Sequence, residues 1–177
     1  MPFDAEKEIT RLWRNLHSAQ EEICRTFYRW REVAKDIAGD GADETEIALK
    51  AAEFIGKEIG KGLLPRLNWL KGEEAFLMNL ARAFANIWAN EGAICQVEKG
   101  EKDGEVYIKC TRDTWPSIAK EYDVPMEEVA KTRERIFQAA LEDVSVFFNI
   151  PLAIEMLKAI PRGEGMYLFR LYKKEEG

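Results

Sequence analysis

The chain is predicted to be an α+β domain, with about five helices packed on an antiparallel sheet made of two hairpins. Three observations carry this. Apolar residues recur at helical spacing through most of the 177 residues. Between Gly92 and Thr111 the pattern changes to alternation, with a loop ending in Asp103-Gly104. A second alternating run, Met166 to Lys173, follows a turn at Pro161-Arg162-Gly163-Glu164-Gly165. A half-buried hairpin is marginal alone, so the helices on either side must cover it.

Each element follows in order. From Asp4 to Ile37 there is neither Gly nor Pro, and Ile9, Leu12, Trp13, Leu16, Ile23, Phe27, Trp30, Val33 and Ile37 form a helical stripe. Ser18-Ala19-Gln20-Glu21 has the form of a capping box, which favours two helices meeting near His17 over one long helix. Gly39-Asp40-Gly41 ends the segment. The next helix starts at Asp43, with Glu46 at the capping-box position, and runs to about Lys61 through Ile47, Ala51, Phe54, Ile55 and Ile59. Its second stripe is Ala48, Ala52, Gly56 and Gly60. A mid-helix Gly costs about 1 kcal/mol relative to Ala, so the stripe implies close approach of another backbone, inside the monomer or across a dimer interface. The connector Leu63 to Gly72 is apolar enough to pack down. Glu73 to Asn90 is amphipathic through Phe76, Leu77, Leu80, Phe84, Ile87 and Trp88, and Gly92 suits its termination. In the hairpin, Ala93, Cys95 and Val97 share a face, and Val106, Ile108 and Cys110 form the apolar face of the return strand. After Arg112-Asp113-Thr114-Trp115-Pro116 a short helix reaches about Tyr122. Pro125 opens the last long helix, which turns Val129, Ile136, Phe137, Ala140, Leu141, Val144, Phe147 and Phe148 inward and ends at Pro151. Leu152 to Ile160 and Met166 to Lys173 complete the second hairpin.

Composition narrows the function classes. With 46% hydrophobic and 33% charged residues the chain reads as one soluble domain. Lys plus Arg number 26 against 32 Asp plus Glu, a net charge of −6, which leaves no electrostatic footprint for nucleic acid or an anionic membrane. The start, Met1-Pro2-Phe3-Asp4, lacks a secretory signal pattern and no apolar run reaches membrane-spanning length, so a cytoplasmic location is expected. Cys24, Cys95 and Cys110 are odd in number and widely spaced in a chain large enough to need no staples, so reduced thiols are expected.

Standard catalytic motifs are missing: there is one histidine, no Cys-x-x-Cys, no His-Glu-x-x-His, no Gly-x-Ser-x-Gly, no phosphate loop and no dinucleotide fingerprint. No catalytic residue, metal ligand or cofactor is assigned, and His17 reads as a surface or capping residue. Cys95 and Cys110 share a sheet face about 5 to 8 Å apart, depending on register. They read as inert packing or, if directly opposite, as a redox pair or half of a soft-metal site. Arg112, Asp113 and Trp115 stand where a strand ends and a loop begins, positions that serve either a site or a surface turn. Arg133 falls on the inward stripe between Val129 and Phe137. A buried guanidinium needs an anion, which a neighbouring Asp or Glu or an acidic ligand would supply.

From about Ala51 to Tyr172 the sequence resembles the 4-vinyl reductase-like small-molecule-binding domain, whose fold is also seen in TRAPP vesicle-tethering subunits. The resemblance rests on Phe54-Ile55-Gly56-Lys57-Glu58-Ile59-Gly60, on Trp88 to Gly92 leading into the hairpin, on Cys110 ending its second strand, and on Arg162-Gly163-Glu164 leading to Phe169-Arg170-Leu171. Where that family commonly carries a cysteine before the final Phe, this chain has Tyr167, so only Cys110 is matched. The helices preceding a cysteine-containing sheet are also similar to the 2-aminothiazoline-4-carboxylate hydrolase-like proteins. Length predicts a single domain over 1–177, with 1–41 as a helical extension and 42–173 as the core that the resemblance implies.

The expected function is small-molecule binding or sensing. Its apolar pocket would lie between helices and sheet, with Cys95, Cys110 and Tyr167 on the floor and Trp88, Arg112 and Arg133 around it. The ligand would be acidic if Arg133 lacks a protein partner. The alternatives are a hydrolase of a small cyclic amide-like substrate and a structural partner-binding subunit. A homodimer is expected from the Ala48, Ala52, Gly56, Gly60 stripe and the two-faced C-terminal hairpin.

Overall fold

The structure is a computed structural model that describes residues 4–39, 41–67 and 72–174. Among these, five helices lie with a four-stranded antiparallel sheet of order β1-β2-β4-β3. The first helix, α1, runs unbroken over Ala5–Ala38. It does not divide near His17, because Ser18 to Glu21 sit where the chain does not turn. Glu21 instead pairs along the helix with His17 and Arg25, each at 3.2 Å. Asp4 caps its start by accepting from the Lys7 amide.

Helix α2 (Glu44–Leu63) begins at Asp43, which accepts from the Thr45 and Glu46 amides. Its buried face is the small stripe, Ala48, Ala52, Gly56 and Gly60, and not the larger Ile47 and Phe54 face. That stripe lies against α5 (Met126–Phe148) inside the chain: a Cβ on Gly56 would run into the Ile136 carbonyl oxygen, and one on Gly60 would stand 2.7 Å from the Ala140 carbonyl oxygen. The stripe is therefore consumed internally and is not available to a second copy.

Helix α3 (Glu73–Asn90) has its predicted bounds, and Gly92 at φ +93° turns the chain out of it. Of the connector before it, Asn68, Trp69, Leu70 and Lys71 lie outside the described residues. Strands β1 (Ile94–Lys99) and β2 (Glu105–Arg112) form the first hairpin, then α4 (Trp115–Glu121) and α5 follow, then β3 (Leu152–Lys158) and β4 (Tyr167–Lys173). Helix α5 ends on Asn149 in the left-handed region, two residues before Pro151. Phe147 is exposed and does not face the core. Between sheet and helices, Phe84, Trp88, Phe137, Tyr167 and Phe169 fill one layer with ring centroids 4.7–6.2 Å apart. No helix among the described residues is long and apolar enough to cross a membrane.

The cysteines differ from expectation. Cys95 and Cys110 face each other directly in the β1–β2 register, with Cα atoms 4.2 Å apart, and are joined as a disulfide. Direct opposition in an antiparallel pair brings two thiols within bonding reach, so the register and not the chain's size decides their state. Cys24 stays a free, buried thiol.

Candidate functional site

Helices α1 and α2 border an apolar groove of about 750 Å³. Ile23, Thr26, Phe27 and Trp30 form one wall, Ile47, Ala51, Phe54 and Ile55 the other, and Trp115, Ile136 and Glu91 the floor. The groove follows from which faces the two helices bury. α1 buries Cys24, Phe27, Tyr28 and Arg31, leaving Ile23 and Trp30 on the adjoining strip. α2 spends its small residues on α5, so Phe54 points away from the body. Trp30 is 67% and Phe54 69% exposed, an arrangement that costs free energy unless something covers it.

One end of the groove is fixed by charge. Buried Arg31 binds Glu128 at 2.7 Å and 3.0 Å, Glu44 at 2.9 Å and Glu32 at 2.5 Å. Burial opposes the Arg31 charge, but these carboxylates outweigh it and hold its pKa above the ordinary arginine value.

Behind the floor is a second charged cluster, centred on Arg133 at 1% exposure. Its Nη1 donates to Glu91 Oε2 at 2.6 Å and its Nη2 to Asp113 Oδ1 at 3.5 Å, while Nε makes an ionic contact with Asp113 Oδ2 at 3.4 Å that is not aligned as a hydrogen bond. Its guanidinium carbon lies 4.8 Å from the Trp88 ring centroid and 4.7 Å from that of Trp115. Trp115 Nε1 donates to the same Glu91 oxygen at 3.0 Å, and the Thr114 hydroxyl donates to the Glu91 carbonyl at 3.2 Å. Burial works against the Arg133 charge, but Asp113 and then Glu91 override it and raise its pKa. Burial, followed by nearby Asp113, raises the Tyr167 hydroxyl. Burial also raises Tyr28. The Cys24 thiol, 3.4 Å from the Thr114 hydroxyl, is pushed up to about 11 by burial, which leaves it protonated and unreactive at neutral pH.

The structure thus brings together Trp88, Arg133 and Tyr167, with Cys110 paired to Tyr167 across β2 and β4. Cys95 lies half-buried on the edge strand and Arg112 is exposed at the end of β2, apart from the Arg133 cluster. The anion that Arg133 calls for comes from Glu91 and Asp113. Sequence reasoning singled out Asp113 and Trp115 but missed Glu91. A signal for it existed: Glu91 stands at the C-terminal end of α3, where the helix dipole disfavours an acid, so a nearby cation is needed.

No protein-family model and no curated protein sequence matches the chain. Among solved structures its fold is similar to trafficking protein particle complex subunit 3 from Naegleria fowleri, crystallised covalently bound to palmitic acid. The identity is 16% and the TM-score 0.55, over 89% of this chain and 96% of that one. The likeness establishes a TRAPP-like fold.

Proposed function

We infer that the chain is a binding subunit whose working surface is the α1/α2 groove, and that its occupant is an amphipathic helix of a protein. The observation that carries this is the placement of Trp30 and Phe54 as exposed rims over an almost wholly apolar wall. Aromatic anchors beside an apolar furrow suit helix-in-groove recognition. The resemblance to 4-vinyl reductase-like domains adds a second reading, a small apolar molecule in the same groove. The neighbouring TRAPP subunit, described as bound to palmitic acid, favours a long acyl chain for that reading. The hydrolase alternative is weaker, since two cysteine sulfurs form a bridge and the third thiol is deactivated by burial.

Fluorescence anisotropy tests the proposal. A labelled helical peptide with apolar residues at i, i+3, i+4 and i+7 should bind saturably, and Phe54→Glu should weaken it at least tenfold while Leu157→Glu, on β3, leaves it unchanged. Binding of a fluorescent palmitate analogue that is sensitive to Phe54→Glu, without peptide binding, would move the assignment to the acyl-chain reading. If neither binds a chain shown to be monomeric, the groove is not a binding surface.

A further inference from the structure

The bridge between Cys95 and Cys110 stands at the start of an edge strand. Its two halves differ in access. Cys110 is fully buried in the core, with Tyr167, also fully buried, opposite it on β4. Cys95 is half-buried on β1, whose outer edge pairs with no strand among the described residues. The ladder is irregular immediately before the bridge: Ile94 pairs with Arg112 and Cys95 with Cys110, so Thr111 is passed over and the bridge is the first regular pair after the break. Between α3 and β1 lie only Glu91, Gly92 and Ala93. Ala93 is buried, and its amide donates to the Trp88 carbonyl at 3.0 Å. The Glu91 carboxylate accepts from Arg133 and Trp115 and lines the groove floor. The bridge therefore anchors the far end of the turn that carries the acid of the floor.

We propose that this bridge is a reversible redox latch: a dithiol opens it, and opening it loosens the turn from Glu91 to Ile94 and the groove floor with it. The inference rests on reading the groove as a binding surface and adds its regulation. The chemistry proceeds from the accessible side. A thiolate of the dithiol attacks the Cys95 sulfur and bonds to it, the bond between the two cysteine sulfurs breaks, and Cys110 leaves as a thiolate that takes up a proton. Apolar surroundings favour the neutral thiol there. The second thiol of the reagent then displaces Cys95 in the same way. The chain gains two electrons and two protons, and the dithiol becomes a disulfide. Once unbonded, the two sulfurs must separate to van der Waals distance. Cys110 has no room to yield, since it and Tyr167 are closed in by the core. Cys95 does, because one side of β1 is free of strands and the ladder already breaks at Thr111. Only Gly92, Ala93 and Ile94 separate Cys95 from Glu91, so the displacement reaches the floor. The rest of the fold does not need the bridge. Residues 95–99 stay paired with β2 through the backbone ladder, and a chain of this size buries a core without staples.

Millimolar dithiothreitol added to the native chain should open the bridge. Alkylation with iodoacetamide after transfer to urea counts the thiols by mass: one group, on Cys24, before reduction and three after it. Hydrogen exchange at the Ala93 amide and at those of β1 should be roughly tenfold faster in the reduced chain, with the β3 and β4 amides unchanged. Affinity for the labelled helical peptide should fall about fivefold and return on reoxidation with oxidised glutathione. The chain carrying both Cys95→Ser and Cys110→Ser should match the reduced chain with or without the dithiol, which separates opening of the bridge from any other action of the reagent. A bridge that opens only when urea unfolds the chain overturns the proposal, as do equal exchange rates at Ala93 and β1 in the two states. Exchange that changes while the peptide binds both states equally overturns the coupling to the floor. If exchange changes and the peptide binds neither state, the groove reading fails while the latch on the turn stands.

Discussion

Replacing Arg133 by Met tests whether the buried cluster is an internal fastening. Methionine nearly fills the same volume, so little cavity forms, but Asp113 and Glu91 lose their counter-charge while the Asp113 side chain is 2% exposed. Removing one partner of a buried ion pair costs about 3–5 kcal/mol. Glu91, at 17% side-chain exposure, can reach some water, which places the expected loss at the lower end, about 3 kcal/mol. For a chain of this size that corresponds to a fall in Tm of roughly 6–12 °C. Urea denaturation of wild type and Arg133→Met at neutral pH measures the effect. Adding Glu91→Gln and Asp113→Asn should recover most of the loss. A variant within about 0.5 kcal/mol of wild type at neutral pH, where ordinary surface changes fall, would refute the reasoning.

Gly56→Ala and Gly62→Ala should have opposite signs. The first sets a methyl against the α5 backbone and should cost a net 1–2 kcal/mol or so after the helix-propensity gain, whereas nothing lies within 4 Å of a Cβ at Gly62, so there thermal melts should show a gain of up to about 1 kcal/mol. Stability should fall at alkaline pH. The Cys24 thiol, raised from its ordinary value near 8.5 to about 11, contributes stability that is complete below the unfolded value and lost as pH rises through the folded one. The urea midpoint should therefore drop between about pH 9 and 11, with a smaller drop, relative to its own neutral value, in Cys24→Ala. Replacing both Cys95 and Cys110 by Ser opens a bridge of sequence separation 15 and should lower stability by about 3 kcal/mol, read from the same titrations with no oxidant or reductant present.

The elements were legible because glycines, prolines and changes of period punctuate the chain. Gly92 and Pro125 bound helices as expected, and the Asp103-Gly104 loop joins the predicted strands. The faces were less legible, because periodicity reports that residues share a side without saying what lies opposite. The large apolar stripe of α1 announced a helix and is mostly exposed, while on α2 the small stripe is buried because only small residues let α5 approach. Likewise, the spacing of Cys95 and Cys110 left two registers open, and only pairing to a given partner atom made them bond. Arg133 was conspicuous as a charge on an apolar stripe. Its partners come from the end of α3 and the loop after β2, and no local pattern in the sequence joins those two places.

The strand order β1-β2-β4-β3 has a consequence for how the chain reaches this state. Each hairpin is local, with strands separated by a short loop, and can form on the microsecond scale typical of such turns. The central seam between β2 and β4 joins Cys110 to Tyr167, and both α4 and α5 lie between them in sequence. Closing that seam carries the loop-closure entropy of the whole intervening segment, and its register is worth little until α5 has docked on α2 and turned Phe137 toward the sheet. The two halves of the sheet should therefore meet late, as the rate-limiting event. Gly56, far from any strand, becomes a residue whose replacement slows refolding if its helix pair is already formed at that barrier.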